Sequence, residues 1–193
     1  HGSRYANHIV NDMDEFDLAA ISRRSPDGKD QAVQWNCGWH QNWLELVADR
    51  QVEAVIAVVP PALNLEIARA CARHEKPLLL EKPLAISSAD ASEIVALCNA
   101  NDLPLTIGQT LRYNPVVQKM RQQLSSIGNL CSFSANQRLE PSSLAWHEDP
   151  VLAGAGVSFH TAVHVFDAIR FITGLEVQRV IAVVRRQHNA ALE

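Results

Sequence analysis

A lysine followed by a proline closes an apolar run at Leu80-Glu81-Lys82-Pro83, the most specific local signal in the chain. An ammonium group there can donate a hydrogen bond to an oxygen that gains negative charge during a reaction. Two histidines stand four residues apart, His160 and His164, and imidazole is the side chain that titrates near neutral pH. Together with Asp167 and the preceding His147 they hold the donor atoms for a divalent metal, because a histidine pair at i, i+4 is a known zinc arrangement. Thr161 nevertheless stands where a His-Glu-x-x-His motif needs its glutamate, so no metal site is expected. Plain readings exist beside these: a lysine before proline is also how a solvated turn looks, and a helix histidine is often satisfied by a backbone carbonyl.

These residues have to be positioned by something, and the apolar pattern says what. Phe16–Ile21, Val55–Val59, Pro77–Leu80 and Leu103–Ile107 are short runs of strand character without strict alternation, as expected of strands covered on both faces. Between them Trp43–Val47 and Leu65–Ala72 repeat apolar residues at helical steps, and Ser88 precedes a helical 89–101 with Asp90 and Glu93 in its first turns. Strands alternating with helices predict an α/β fold with a doubly wound parallel sheet. In such a sheet the ligand crevice lies at the carboxyl ends of the strands, which places Lys82 at a site by topology.

After Asn114-Pro115 a helix over 116–124 leads to Ser125–Asn129, a candidate boundary. Beyond it come a strand-like Leu130–Leu139, a loop rich in Pro, Ser and Trp, a helix over Phe159–Ile172 and a strand-like Val177–Val184. The predicted division is therefore 1–126 for a first α/β domain and 127–193 for the beginning of a second.

With 193 residues the chain is long enough to bury a sizeable core. Seventeen basic against 21 acidic side chains give a net charge of −4, with no run of like charges, so no nucleic-acid footprint and no polybasic membrane patch are expected. The longest apolar stretch, Val52–Leu65, is interrupted by Glu53, Pro60, Pro61 and Asn64, far short of the roughly 20 residues a membrane span needs. Cys37, Cys71, Cys98 and Cys131 form no Cys-x-x-Cys pair and read as thiols of a reducing, cytoplasmic compartment. Trp35, Trp39, His40 and Trp43 are expected to be half-buried helix and loop anchors.

Four pieces occur in one order: Val59-Pro60-Pro61, Glu81-Lys82-Pro83, Gly108 to Pro115 (GQTLRYNP), and Gly154-Ala155-Gly156 followed by His164-Val165-Phe166-Asp167. Together they resemble the Gfo/Idh/MocA family of NAD(P)-dependent oxidoreductases, over nearly the whole chain. The resemblance implies a Rossmann domain followed by an α/β substrate domain with an open, mainly antiparallel sheet. It further implies hydride transfer between a nicotinamide C4 and a carbon bearing a hydroxyl, on a sugar, cyclitol or similar small polar molecule, in a homo-oligomer built through the second sheet.

Carried over residue by residue, Lys82 falls on the family's catalytic lysine, and its bond to Pro83 is a candidate cis peptide. His164 falls on the family's histidine, which takes the hydroxyl proton. His160 stands where many members have aspartate; an imidazole cannot supply that charge, so the acid–base apparatus is altered. The end of the first visible strand reads Ile21-Ser22-Arg23-Arg24, with no carboxylate until Asp27. An acid there would hold the ribose 2′-OH of NAD, whereas a 2′-phosphate needs cations. NADP is therefore the expected cofactor, with NAD the alternative; Ser22, Arg23 and Arg24 would bracket the phosphate.

Gly2 fits the third glycine of the family's Gly-x-Gly-x-x-Gly. On that alignment the chain is a fragment lacking its first Rossmann strand, the central one, so that the strands on either side flank a gap. Pro60, Asn64, Glu81 and Arg112 are expected near the cofactor, and Tyr113, Trp146 and Asp167 near the substrate, with His147 as a cover. Two rivals stand: a catalytically degenerate nucleotide-binding sensor or scaffold, kept alive by His160, and a metal-dependent hydrolase using His160, His164 and Asp167.

Overall fold

A computed structural model of the chain describes residues 2–137, 145–154, 156 and 158–183. They divide into two interleaved compact units, one formed by residues up to 59 with 64–80 and 92–106, the other by 60–63, 81–91 and the residues from 107 onward.

In the first unit, helix α1 (Gly2–Asp12) precedes strand β1 (Ala20–Ser22), helix α2 (Asp27–Gln34), strand β2 (Gly38–His40) and helix α3 (Trp43–Ala48). Then follow β3 (Val55–Ala57), α4 (Asn64–Arg73), β4 (Leu78–Leu80), α5 (Ser88–Ala100) and β5 (Leu105–Ile107). β1 and β2 pair in parallel with Ile21 opposite Trp39, and β3 and β4 pair in parallel with Ile56 opposite Leu79. The strand orders are β1-β2 and β3-β4-β5, two sheets not hydrogen-bonded to each other.

The apolar runs account for these elements. Val55, Ala57, Leu78 and Leu80 are buried from the strands, and Ile67, Ala68, Cys71, Ile94 and Cys98 are buried from α4 and α5. Burial pushes the Cys71 thiol up to about 12, as a packed thiol should behave. All four cysteines are free. Lys76, buried at the end of α4's connection to β4, donates to the carbonyls of Asp49 and Val52 and so satisfies the turn after α3.

Two local expectations shift. β2 replaces the expected loop anchors, since Trp39 and His40 belong to a strand; three residues are too few to show periodicity. The α5 start is capped one residue earlier than expected: Ser87 Oγ accepts from Asp90 N at 3.1 Å, and Ser88 already lies in the helix.

In the second unit, a 3₁₀ turn (Thr110–Tyr113) leads into α6 (Pro115–Gln123), and after residue 144 come a 3₁₀ turn (Ala145–Glu148), α7 (Pro150–Ala153), a π-helical turn (Ser158–Ala162) and α8 (Val163–Thr173). Asn114 Oδ1 accepts from Val116 N at 2.9 Å and Val117 N at 3.4 Å while Pro115 takes the first helical position. Asn114→Ala is expected to cost about 1 kcal/mol, read as a lower midpoint in chemical denaturation.

The strands expected over 130–139 and 177–184 are not formed at 130–137 and 177–183; residues 138, 139 and 184 lie outside the described residues. A strand needs a ladder partner, and Val180, Ile181 and Val183 are 74, 89 and 87% exposed. The open antiparallel sheet is thus not part of the described second unit. No helix among the described residues is long and apolar enough to cross a membrane.

Candidate active site

The second unit gathers Glu81, Lys82, Gly108, Gln109, Arg112, Trp146, His147, His160, His164 and Asp167 around two elements: the segment that follows β4, and the π turn running into α8. The Lys82-Pro83 peptide is cis, as expected. The Lys82 ammonium donates to the backbone carbonyl of His160 at 2.8 Å. A π turn closes hydrogen bonds one residue later than an α-helix, which changes the phase of the carbonyls along 158–162 and turns one of them to the lysine. Gly154 prepares the turn: its φ is +80°, and a Cβ there would stand 3.0 Å from the Ile86 Cβ. Ala155 between the two glycines lies outside the described residues.

His160 lies in the π turn and His164 in the first turn of α8. The His160 ring stacks on His147, centroids 4.2 Å apart and planes within 14°, with Trp146 edge-on at 4.1 Å from His147 and 5.5 Å from His160. An imidazole in the aspartate position is therefore absorbed by an aromatic cluster. Among the described residues His160 Nε2 and His164 Nδ1 are buried without a hydrogen-bond partner, as is Gln109 Oε1.

Burial lowers the Lys82 pKa, opposed by the Glu81 carboxylate. Burial and then Lys82 lower His164, against Glu81 and Asp167, which raise it. His147 is lowered by burial and then by Lys82. His160 is pushed down to about 4, by burial first, then His147 and Lys82. All three imidazoles are thus neutral at neutral pH, and the lysine is their cation. In the unfolded chain an imidazole titrates near 6.5, so the unfolded state takes up the proton first. The His160 contribution to stability is complete above about pH 6.5 and lost as the pH falls toward about 4. The melting temperature is expected to fall by several degrees over that window, and less steeply in His160→Gln; parallel curves for the two proteins would refute this.

Arg112 and Asp167, expected at cofactor and substrate respectively, are brought to each other. Arg112 Nε and Nη2 donate to the two Asp167 oxygens at 2.8 and 2.6 Å, a bidentate pair tying the 110–113 turn to α8. Tyr113 is exposed on the same turn. Gly108 leaves room for Glu81: a Cβ would stand 3.1 Å from its carboxyl carbon. Glu81 Oε2 accepts from Lys82 N at 3.1 Å. Pro60 precedes the 3₁₀ turn Pro61–Leu63, which packs against α7.

The remaining candidates belong to the first unit. Ser22 ends β1, and Ser22, Arg23 and Arg24 are exposed, with no carboxylate before Asp27. Two guanidiniums and a hydroxyl at a parallel strand's carboxyl end are a donor set that suits a phosphate. Gly2 opens α1, where a Cβ would lie 3.8 Å from Val58 Cβ, ordinary contact, so packing does not demand glycine there. Asn64 is the buried first residue of α4.

Gln109 acquires a place the sequence reading did not give it. It follows β5 as Lys82 follows β4, so the same strand-end logic would have found it. His147, expected as a cover, is stacked on His160. Among the described residues no group of three or more His, Cys, Asp or Glu is placed to hold a metal ion.

Residues 1–109 match the family model described as an oxidoreductase family with an NAD-binding Rossmann fold, and residues 117–193 match the GFO/IDH/MocA C-terminal domain. The chain belongs to the Gfo/Idh/MocA oxidoreductase family. Inositol 2-dehydrogenase 2 of Saccharopolyspora erythraea is 28% identical over 98% of this chain and 52% of its own length. GenD2 from gentamicin A biosynthesis, solved in complex with NAD, superposes with a TM-score of 0.84 at 20% identity, covering all of this chain and 56% of that one. An oxidoreductase of Desulfitobacterium hafniense described as NADPH-dependent has a TM-score of 0.74 at 24% identity over 90% of this chain and 52% of that one. The chain spans about half the length of the inositol dehydrogenases it matches.

Proposed function

We propose that the protein is an NADP-dependent oxidoreductase acting on a hydroxyl or carbonyl carbon of a sugar, cyclitol or similar small polar molecule. The single observation that carries this reading is the Lys82 ammonium, held by the His160 carbonyl at 2.8 Å amid imidazoles whose buried nitrogens lack partners. A cation and a proton acceptor, both partly withdrawn from water, are what alcohol oxidation requires. When bound, the nicotinamide supplies the hydride acceptor. Lys82 holds the reacting oxygen and stabilises it as it becomes an alkoxide. His164 accepts the hydroxyl proton and returns it in the reverse direction. Trp146 and His147 shield the substrate from water, and Arg112 with Asp167 fixes α8 beneath His164.

Ser22, Arg23 and Arg24 bind the adenosine 2′-phosphate; Gly2 and Asn64 in the first unit and Pro60 and Glu81 in the second are the other cofactor-binding candidates. Residues 1–126 form the nucleotide domain and 127–193 belong to the substrate domain of a cytoplasmic homo-oligomer. The absence of a carboxylate at position 160 favours one second reading, a nucleotide-binding sensor without turnover. An equilibrium titration against NADPH and NADH, followed by a panel of polyols and sugars, separates the two. Tighter NADPH binding with turnover is expected; tight binding without turnover favours the sensor, and preference for NADH removes the NADP reading.

A further inference from the structure

The turn between β1 and α2 is held by hydrogen bonds from β2 and α2. Arg23 N donates to His40 O at 3.3 Å, carrying the β1-β2 ladder one residue past the strand. Arg23's carbonyl accepts from the Trp39 indole Nε1 at 3.2 Å. Both ends of the Arg23 residue are therefore pinned by β2. The indole gets this close because residue 28 is glycine: a Cβ there would meet Trp39 Nε1 at 2.5 Å and Cδ1 at 3.0 Å. The side chain is held too, since Arg23 Nη1 donates to Gln31 Oε1 on α2 at 2.9 Å. Asp27, joined to Ser25 Oγ at 2.9 Å, lies 3.5 Å from Nη2. Arg23 still keeps 44% of its side chain exposed, so the guanidinium is oriented without being used up.

We propose that Trp39 and Gln31 are specificity-determining positioning residues that preset Arg23 for the 2′-phosphate of NADP. This rests on the NADP reading above. An arginine free to rotate loses much of its rotamer entropy when it grips an anion, whereas one already held loses less. Only the 2′-phosphate distinguishes NADPH from NADH, so the benefit belongs to NADPH alone.

Trp39→Phe keeps the ring over Gly28 and removes the N–H; Gln31→Leu removes the side-chain acceptor while leaving the strand pair intact. Each is titrated with NADPH and with NADH by fluorescence, beside the unaltered protein, after circular dichroism has established that the fold is retained. NADPH binding is expected to weaken about three- to tenfold in each variant, with NADH binding unchanged within about twofold. If the unaltered protein prefers NADPH and both variants keep its NADPH-to-NADH ratio, the positioning role is overturned and the NADP reading stands. If the unaltered protein prefers NADH or binds neither, the NADP reading fails and takes the positioning role with it.

Discussion

Lys82→Met is expected to lower kcat by about 10²–10³, the loss seen when one donor to a developing oxyanion is removed. Methionine keeps a flexible stem of similar length, so the cavity cost is small and the loss isolates the ammonium. The ammonium sits partly buried against a carbonyl acceptor, where water competes poorly and a hydrogen bond to an alkoxide is stronger than in solution. Steady-state kinetics on whichever polyol or sugar is turned over reads the effect, with the thermal melt as a control for folding. Retention of kcat within tenfold would show that the lysine only anchors the π turn.

His164→Asn should cost about 10²–10⁴ in the oxidation direction, the usual range for a positioned acid–base group. The pH profile is the sharper readout. His164 must be neutral to accept a proton, and burial followed by Lys82 holds it below the ordinary imidazole value. Oxidation in the unaltered protein should therefore remain flat below about pH 6.5 and decline only as the pH drops through the lowered value. In Lys82→Met the repelling charge is gone, while Glu81 and Asp167 continue to pull the pKa upward. The acid limb of that variant's residual activity should move to higher pH. An acid limb that stays in place would mean a group other than His164 controls it.

How far the sequence carries depends on whether a feature is local. The four apolar runs each produced a strand, trimmed to three residues because pairing rather than hydrophobicity sets the ends. Lys82 and its cis bond to Pro83 were legible because motif order and strand-end topology coincide. β2 was invisible, its Gly38-Trp39-His40 being shorter than any period. His160 illustrates a deeper limit: its ring stacks on His147 from a separate turn, a contact set by tertiary packing. Asp167 and Arg112 were both marked as functional from sequence, but their bidentate pairing across 55 residues is a tertiary fact that no spacing encodes.

The acceptor that secures Lys82 belongs to the peptide unit of residue 160 and not to its side chain. Every amino acid carries that oxygen, so position 160 can exchange aspartate for histidine over evolutionary time without releasing the lysine. The site is robust to substitution there and vulnerable to register: an insertion or deletion between Gly156 and Ala162 would carry the carbonyl away, however faithfully each side chain were preserved.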